Sequence, residues 1–255
     1  ITASFTGDLS LHSRPMKRVL IPLEKTGANI SSNDYKLPVT IKGNKIPIPI
    51  RYSSSLSSAQ VKSCVLLNGL TSTGSTLYSE VVKSRDHTEK MLHFMGANIN
   101  SKYLKDGTNK IELKGLPYLK GKHFLIPNDP SSAAFPTAAA LIVPNSEIKI
   151  KNVCLNDLRT GFYESIKEMG GFIKFVNQRD LFGEVVGDIQ VKYSKLKGII
   201  VPEKRVPSMI DEFPIFCIVA CFAEGETVMT GIEDLRNKES DRIKEIVENL
   251  KKFGF

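Results

Sequence analysis

No apolar run in the sequence approaches the roughly 18 residues that a membrane span requires. The longest, Ile215 to Ala223, fits a buried helix instead, and no membrane partner is expected. Within these residues there is no signal-peptide pattern. Cysteine is scarce too. Cys64, Cys154, Cys217 and Cys221 all fall inside apolar helix or strand patterns, where a thiol acts as a small hydrophobe. Cys217 and Cys221 are four apart, a spacing that can pair on a metal, but no histidine lies near them in sequence and no metal site is expected. A reducing cytoplasm fits this usage. There is also no Walker loop, dinucleotide fingerprint or nucleophile elbow, so no motif implies a cofactor.

What is there is a globular composition. The 255 residues are 41% hydrophobic and 24% charged, enough for one large or two modest domains. The chain opens at Ile1 rather than Met and stops at Phe255 inside a lysine-rich amphipathic pattern, and it reads as a piece of a longer protein. Lys and Arg number 35 against 27 Asp and Glu, a net charge of +8. Lysines such as Lys192, Lys195, Lys197, Lys244, Lys251 and Lys252 are spread along polar faces, and no basic stripe interleaved with aromatics is evident. Nucleic acid is therefore not expected as a partner, whereas anionic small molecules suit the excess of positive charge.

A short phrase recurs: an amphipathic helix ends in glycine and an aliphatic strand follows. It appears around Gly27, Gly96, Gly170 and Gly254, which are 69, 74 and 84 residues apart. Glycine there suits a left-handed helix C-cap. Other elements recur in phase. Ser57-Ser58-Ala59 precedes a helix expected over Gln60 to Leu70, Ser131-Ser132-Ala133 precedes one over Ala134 to Val143, and Pro214 to Ala223 takes that place in a third copy. Alternating strands are expected over Thr76 to Val82, Glu147 to Val153 and Glu226 to Ile232. Arg85, Arg159 and Arg236 then precede the second helix of each copy. In the helix from Thr88 the spacing turns Met91, Leu92 and Met95 inward, and in the last helix Ile243, Ile246, Leu250 and Phe253 form an apolar stripe. Pro47 and Pro49 mark a connecting or edge segment. The repeat length of about 70 to 80 residues exceeds any solenoid period and implies small α/β subdomains.

Charged residues gather at the ends of these elements. Arg14, directly before Pro15, can offer a bidentate fork to a carboxylate or phosphate, although an exposed arginine beside a cap is the plainer reading. Ser58 and Gln60 stand at a helix N-terminus, which favours an anion but is also where serine ordinarily caps. In Ser84 to Glu89, Asp86 or Thr88 is expected to cap, leaving Arg85 to act; His87 is a weaker candidate. Asp211 precedes the most hydrophobic helix, as an N-cap or as a partly desolvated carboxylate suited to acid–base work. Lys238 and Arg242 are one helical turn apart and can face one anion, with Glu239 at the edge of the apolar stripe. A surface ion-pair ladder is the competing reading of that segment.

Together these phrases are familiar. Thr6 to Ser10 with Arg14-Pro15-Met16, Ser58 to Ser63, Arg85 to Glu89, Asp129 to Phe135, and Leu235 to Arg242 closely resemble the 5-enolpyruvylshikimate-3-phosphate synthase family over essentially the whole chain. The Ser-Ala-Gln and Asp-Pro-Ser-Ser forms resemble the bacterial class in which glyphosate-tolerant members are common. The resemblance implies an inside-out α/β fold of repeated βαβαββ units in two lobes, here incomplete at both ends, with residues 1–128 in the first lobe and 129–255 in part of the second. It implies an active site between the lobes, a monomer when complete, no cofactor, and no turnover by this segment alone. It also implies roles. Ser58, Gln60 and Arg85 hold shikimate 3-phosphate, while Arg14, Gln60 and Arg242 hold phosphoenolpyruvate. Asp211 meets the attacking 5-hydroxyl beside Lys238, and Glu239 exchanges a proton with the enolpyruvyl methylene carbon.

Two sibling activities are weaker fits. Transferases acting on UDP-N-acetylglucosamine usually carry a cysteine before the equivalent of Arg14, and no cysteine here precedes Cys64. RNA 3'-phosphate cyclases, of related architecture, lack the Lys238 to Arg242 phrase.

Overall fold

The four repeated glycines share one backbone conformation. Gly27, Gly96, Gly170 and Gly254 have φ of +90°, +99°, +88° and +87°, and each follows a helix C-cap residue, namely Thr26, Met95, Met169 and Phe253. A Cβ is disfavoured at such angles, so glycine at these joints lets each helix turn into the next segment without steric cost.

The computed structural model describes residues 1–55, 57–238 and 240–255. Two compact units result, Ile1–Lys122 and His123–Phe255. The first begins with β1 (Thr2–Phe5), α1 (Leu9–Ser13), α2 (Lys17–Lys25), β2 (Asn29–Asn33) and β3 (Lys36–Lys42). Its strands form an antiparallel sheet in the order β1-β3-β2. After the proline-containing connection come β4 (Arg51–Ser54), α3 (Ala59–Gly69), β5 (Ser75–Glu80), α4 (His87–Phe94), β6 (Ile99–Tyr103) and β7 (Asn109–Lys114), one complete βαβαββ module. Its sheet runs β4-β5-β7-β6, with β4 and β5 parallel and the other pairs antiparallel. Alternation puts Thr76, Tyr78 and Glu80 of β5 on the covered face, where Tyr78 joins Val65, Leu66, Ile111 and Leu113 in the core.

The second unit repeats the plan. It contains α5 (Pro130–Ile142), β8 (Glu147–Cys154), α6 (Gly161–Glu168), β9 (Phe172–Leu181) and β10 (Glu184–Lys192). The sheet order β8-β10-β9 copies β5-β7-β6, and a single parallel bridge from Asn128 to Val153 stands where β4 pairs with β5. A third copy follows: β11 (Ile200–Val201), a 3-10 turn at Glu203–Ser208, α7 (Phe213–Cys221), β12 (Val228–Met229) parallel to β11, a 3-10 turn at Glu233–Asn237, and α8 (Arg242–Lys252). Phe162, Tyr163 and Ile166 of α6 pack with Phe213 and Phe216 of α7 in the core of this unit.

Four local expectations need correcting. The helix expected from Ala134 starts at Pro130, because the Asp129 carboxylate accepts from Ser132 N at 2.9 Å and Pro130 suits the first helical position. The strand expected over Glu226 to Ile232 contracts to Val228–Met229, the stretch that pairs with β11. Met91 is exposed, while Leu92 takes the core position in α4. Phe253 is 79% exposed, and the stripe of α8 reduces to half-buried Ile243, Ile246 and Leu250. No helix among the described residues is long and apolar enough to cross a membrane.

Candidate functional site

In the first unit the candidate residues stand at the ends of α1, α3 and β5. Asp8 caps α1 by accepting from Leu11 N at 2.9 Å, which holds its carboxyl below the usual range. Arg14 follows that helix as its C-cap with φ −76° and ψ 135°, the extended backbone that a residue before proline prefers. It therefore leaves one helix rather than opening the next, which begins at Lys17. Ser58 caps α3, accepting from Val61 N at 3.5 Å, and Gln60 Oε1 accepts from Arg18 Nη2 at 3.3 Å. Ser57 Oγ donates to Val82 O at 2.7 Å, tying the start of α3 to the end of β5.

Arg85 is set by a buried ionic cluster. Lys62, one turn into α3, is fully buried and its Nζ reaches Glu80 Oε1 at 3.0 Å, Glu89 Oε1 at 2.8 Å and the Ser84 carbonyl at 3.0 Å. Ser84 Oγ donates to Glu80 Oε2 at 2.6 Å, and Asn109 Nδ2 donates to Glu80 Oε1 at 3.0 Å. Burial pushes the Glu89 carboxyl above its ordinary value, against the pull of Lys62. On the other side of Arg85, Asp86 meets Lys83 at 2.9 Å and Lys90 at 3.2 Å. Asp86 thus occupies the N-cap position of α4 without capping through its side chain. Thr88 Oγ1 lies 2.6 Å from Ser63 Oγ, and His87 opens the helix. The residues on either side of Arg85 are in this way tied down, Ser84 to Lys62 of α3 and Asp86 to Lys83 and Lys90.

In the second unit Asp211 and Arg242 come together, with Arg242 Nη1 3.6 Å from Asp211 Oδ1. Asp211 does not cap α7, and its side chain stays 38% exposed. The buried carboxylate is the next one, Glu212, at the N-cap position of α7. Arg242 is the first residue of α8, whose start is fixed by Asp241: its Oδ1 accepts from Lys244 N at 3.0 Å and its Oδ2 from Arg236 at 2.9 Å. These bonds, led by the backbone one, hold the Asp241 carboxyl below the usual range. Lys238 precedes α8 in extended backbone and pairs with Asp234 Oδ2 at 2.6 Å, so it does not share a helix with Arg242. Glu239 lies outside the described residues.

The reading of the sequence overlooked Lys62, Glu80, Glu89 and Glu212. Lys62 had one signal: a lysine between Val61, Val65 and Leu66 in a helix with no polar face wide enough to receive it. Glu80 follows the alternation of β5, three positions of which point inward. Among the thiols, burial pushes Cys217 up to about 11, against its use as an anionic ligand or nucleophile.

Modules of strand, helix, strand, helix and two strands define the fold of the enolpyruvyl transferases. The structure of the enolpyruvyl transferase NikO from Streptomyces tendae matches 89% of this chain and 53% of that one, with a TM-score of 0.62 at 14% identity, a likeness of fold alone. The chain belongs to the EPSP synthase (3-phosphoshikimate 1-carboxyvinyltransferase) family, whose sequence model matches residues 1–255. It is 51% identical over 255 residues to the 3-phosphoshikimate 1-carboxyvinyltransferase of Paracoccus denitrificans (strain Pd 1222), covering 100% of this chain and 57% of that protein. It is 51% identical over 253 residues to that of Rhizobium johnstonii, covering 99% and 56%. An EPSP synthase structure from Acinetobacter baumannii matches with a TM-score of 0.82 at 42% identity, over 98% of this chain and 56% of that one. The chain thus spans a little over half the length of the curated relatives it matches.

Proposed function

We propose that the protein containing this chain transfers the carboxyvinyl group of phosphoenolpyruvate to the 5-hydroxyl of shikimate 3-phosphate and releases phosphate, as a cytoplasmic monomer without a cofactor. In this reading residues 1–128 are most of one lobe and 129–255 are part of the other. Arg85, Ser58 and Gln60 receive shikimate 3-phosphate, with Arg85 at its phosphate. Arg14, Gln60 and Arg242 receive phosphoenolpyruvate, whose carboxylate and phosphate suit planar guanidinium groups. Asp211, assisted by Lys238, accepts the hydroxyl proton as the oxygen attacks C2, and Glu239 serves the methylene carbon. Protonating that carbon makes C2 electrophilic, and the tetrahedral adduct then expels phosphate while the methyl group returns its proton. One carboxyl must hold a proton while the other lacks one, a division that unlike surroundings support.

The observation that supports this reading is the Asp211–Arg242 pair, a carboxylate set beside a guanidinium in a chain that falls wholly within the family. The test is an assay of the full-length protein with both substrates. Phosphate release coupled one to one to a carboxyvinyl product, and needing both substrates, is the expected result. Product formed from UDP-N-acetylglucosamine, or cyclisation of an RNA 3'-phosphate, in place of that reaction would overturn it.

A further inference from the structure

Arg18 is a cation where helix electrostatics disfavours one. It is the second residue of α2, whose first turn holds Lys17 and Arg18 and no acidic residue, and whose N-cap residue, Met16, makes no side-chain cap. The helix dipole puts partial positive charge at that end, so a cation there works against the stability of its own helix. No carboxylate offsets it. Among the described residues the side-chain partner of Arg18 is the amide of Gln60, the second residue of α3, whose Oε1 accepts from Arg18 Nη2 at 3.3 Å. The two helices pack on one another inside the first unit, so the pair spans neighbouring elements of one rigid body.

The chemistry of this pair fixes which way round the amide sits. A carboxamide accepts at one end and donates at the other, whereas a guanidinium only donates, so the end that meets Arg18 must be the oxygen. Gln60 Nε2, at the opposite end of the same planar group, is thereby turned away from Arg18 with its N–H donors. That is the orientation an anion requires. The reversed amide would present its oxygen to a carboxylate or phosphate and repel it. Gln60 is exposed, and the terminal torsion of such a side chain has a broad, roughly two-fold preference, so the backbone of α3 does not choose between the two orientations. Arg18 does.

We propose that Arg18 is a positioning residue for Gln60: by holding Oε1 it keeps the Nε2 donors turned to an anionic substrate. The inference rests on the substrate-binding role proposed for Gln60 above and extends it to a residue that acts through the amide. It also accounts for a cation at the start of α2, where helix stability alone gives no reason for one.

The test uses the full-length protein and steady-state phosphate release from both substrates. Arg18→Met, which removes the guanidinium and keeps an apolar stem, should raise KM for phosphoenolpyruvate by about threefold to tenfold while kcat stays within about twofold. Arg18→Lys, which also only donates, should recover most of that loss. In a Gln60→Ala background Arg18→Met should add less than about twofold, because no amide is left to orient. An equal rise in KM in both backgrounds would mean that Arg18 acts on the substrate through its own charge, and would overturn the proposal. So would an unchanged KM for Arg18→Met, even with a lower melting temperature, since the contact would then be merely structural. Arg18→Ala gives the same readout if Arg18→Met does not fold. Gln60→Ala with wild-type KM, or wild-type protein that releases no phosphate, would instead remove the role given to Gln60, and this inference with it.

Discussion

Replacing Lys62 by methionine removes the one cation from a cluster that holds two carboxylates. Lys62 and Glu80 are fully buried and Glu89 nearly so. Methionine fills a similar volume, so the effect is electrostatic rather than a cavity. Removing one partner of a buried ion pair typically costs about 3–5 kcal/mol, because the remaining charge stays desolvated without compensation. Two features favour the lower end. Glu80 keeps the Ser84 hydroxyl and the Asn109 amide, and Glu89, already pushed up by burial, can take a proton. We expect a loss of about 3 kcal/mol, equivalent to a fall of about 10 °C in the melting of the first unit. Urea unfolding of the full-length protein followed by far-ultraviolet circular dichroism measures it. Adding Glu80→Gln and Glu89→Gln to Lys62→Met should recover part of the loss, since the stranded charges are gone. A single variant within about 0.5 kcal/mol of wild type, a shift typical of surface substitutions, would refute the electrostatic argument; so would a triple variant no more stable than the single.

The raised Glu89 carboxyl favours the neutral form in the folded state, so its stabilising contribution is full below its unfolded value and is lost as pH rises through the higher folded one. Glu89→Gln should remove that slope from stability measured against pH, and an unchanged slope counts against the assignment. Asp188 behaves oppositely. The Asn177 amide, the Asn152 N–H and Lys149 hold it at about 2, so its contribution is present above an unfolded value of about 3.9 and is lost as pH falls through about 2. Asp188→Asn should flatten the acid limb of the same curve. Asp241→Ala removes the cap of α8 and should cost about 1 kcal/mol, read by urea unfolding, with no change marking the cap as idle. Asp211→Asn and Glu239→Gln should each cut turnover far more than substrate affinity, and full turnover in both would strike them from the proposed mechanism.

Local chemistry explains which features could be read ahead of the structure. The repeat was legible because a helix that must turn sharply needs glycine at its end, and the same solution recurs at Gly27, Gly96, Gly170 and Gly254. Lys238 and Arg242 were expected one helical turn apart, but Asp241 caps α8 so that it starts at Arg242, and Lys238 precedes it in extended backbone. Several misreadings needed tertiary partners. Asp211 and Glu212 are adjacent acids, and the buried one, Glu212, meets the distant Ser131 hydroxyl. Met91 and Leu92 are both apolar, so the pitch of α4 against its sheet selects between them. Lys62 was overlooked because its partners are distant, Glu80 on a strand 18 residues away and Glu89 on the next helix.

Lys62 also gives the molecule an internal clock. Among the described residues it is the one lysine with no solvent exposure, while the others lie at least partly at the surface. An amine-reactive reagent would label those at once and reach Lys62 only when α3 separates from β5. The rate at which its adduct accumulates would count openings of the first unit under native conditions, site by site and without added dye or engineered probe.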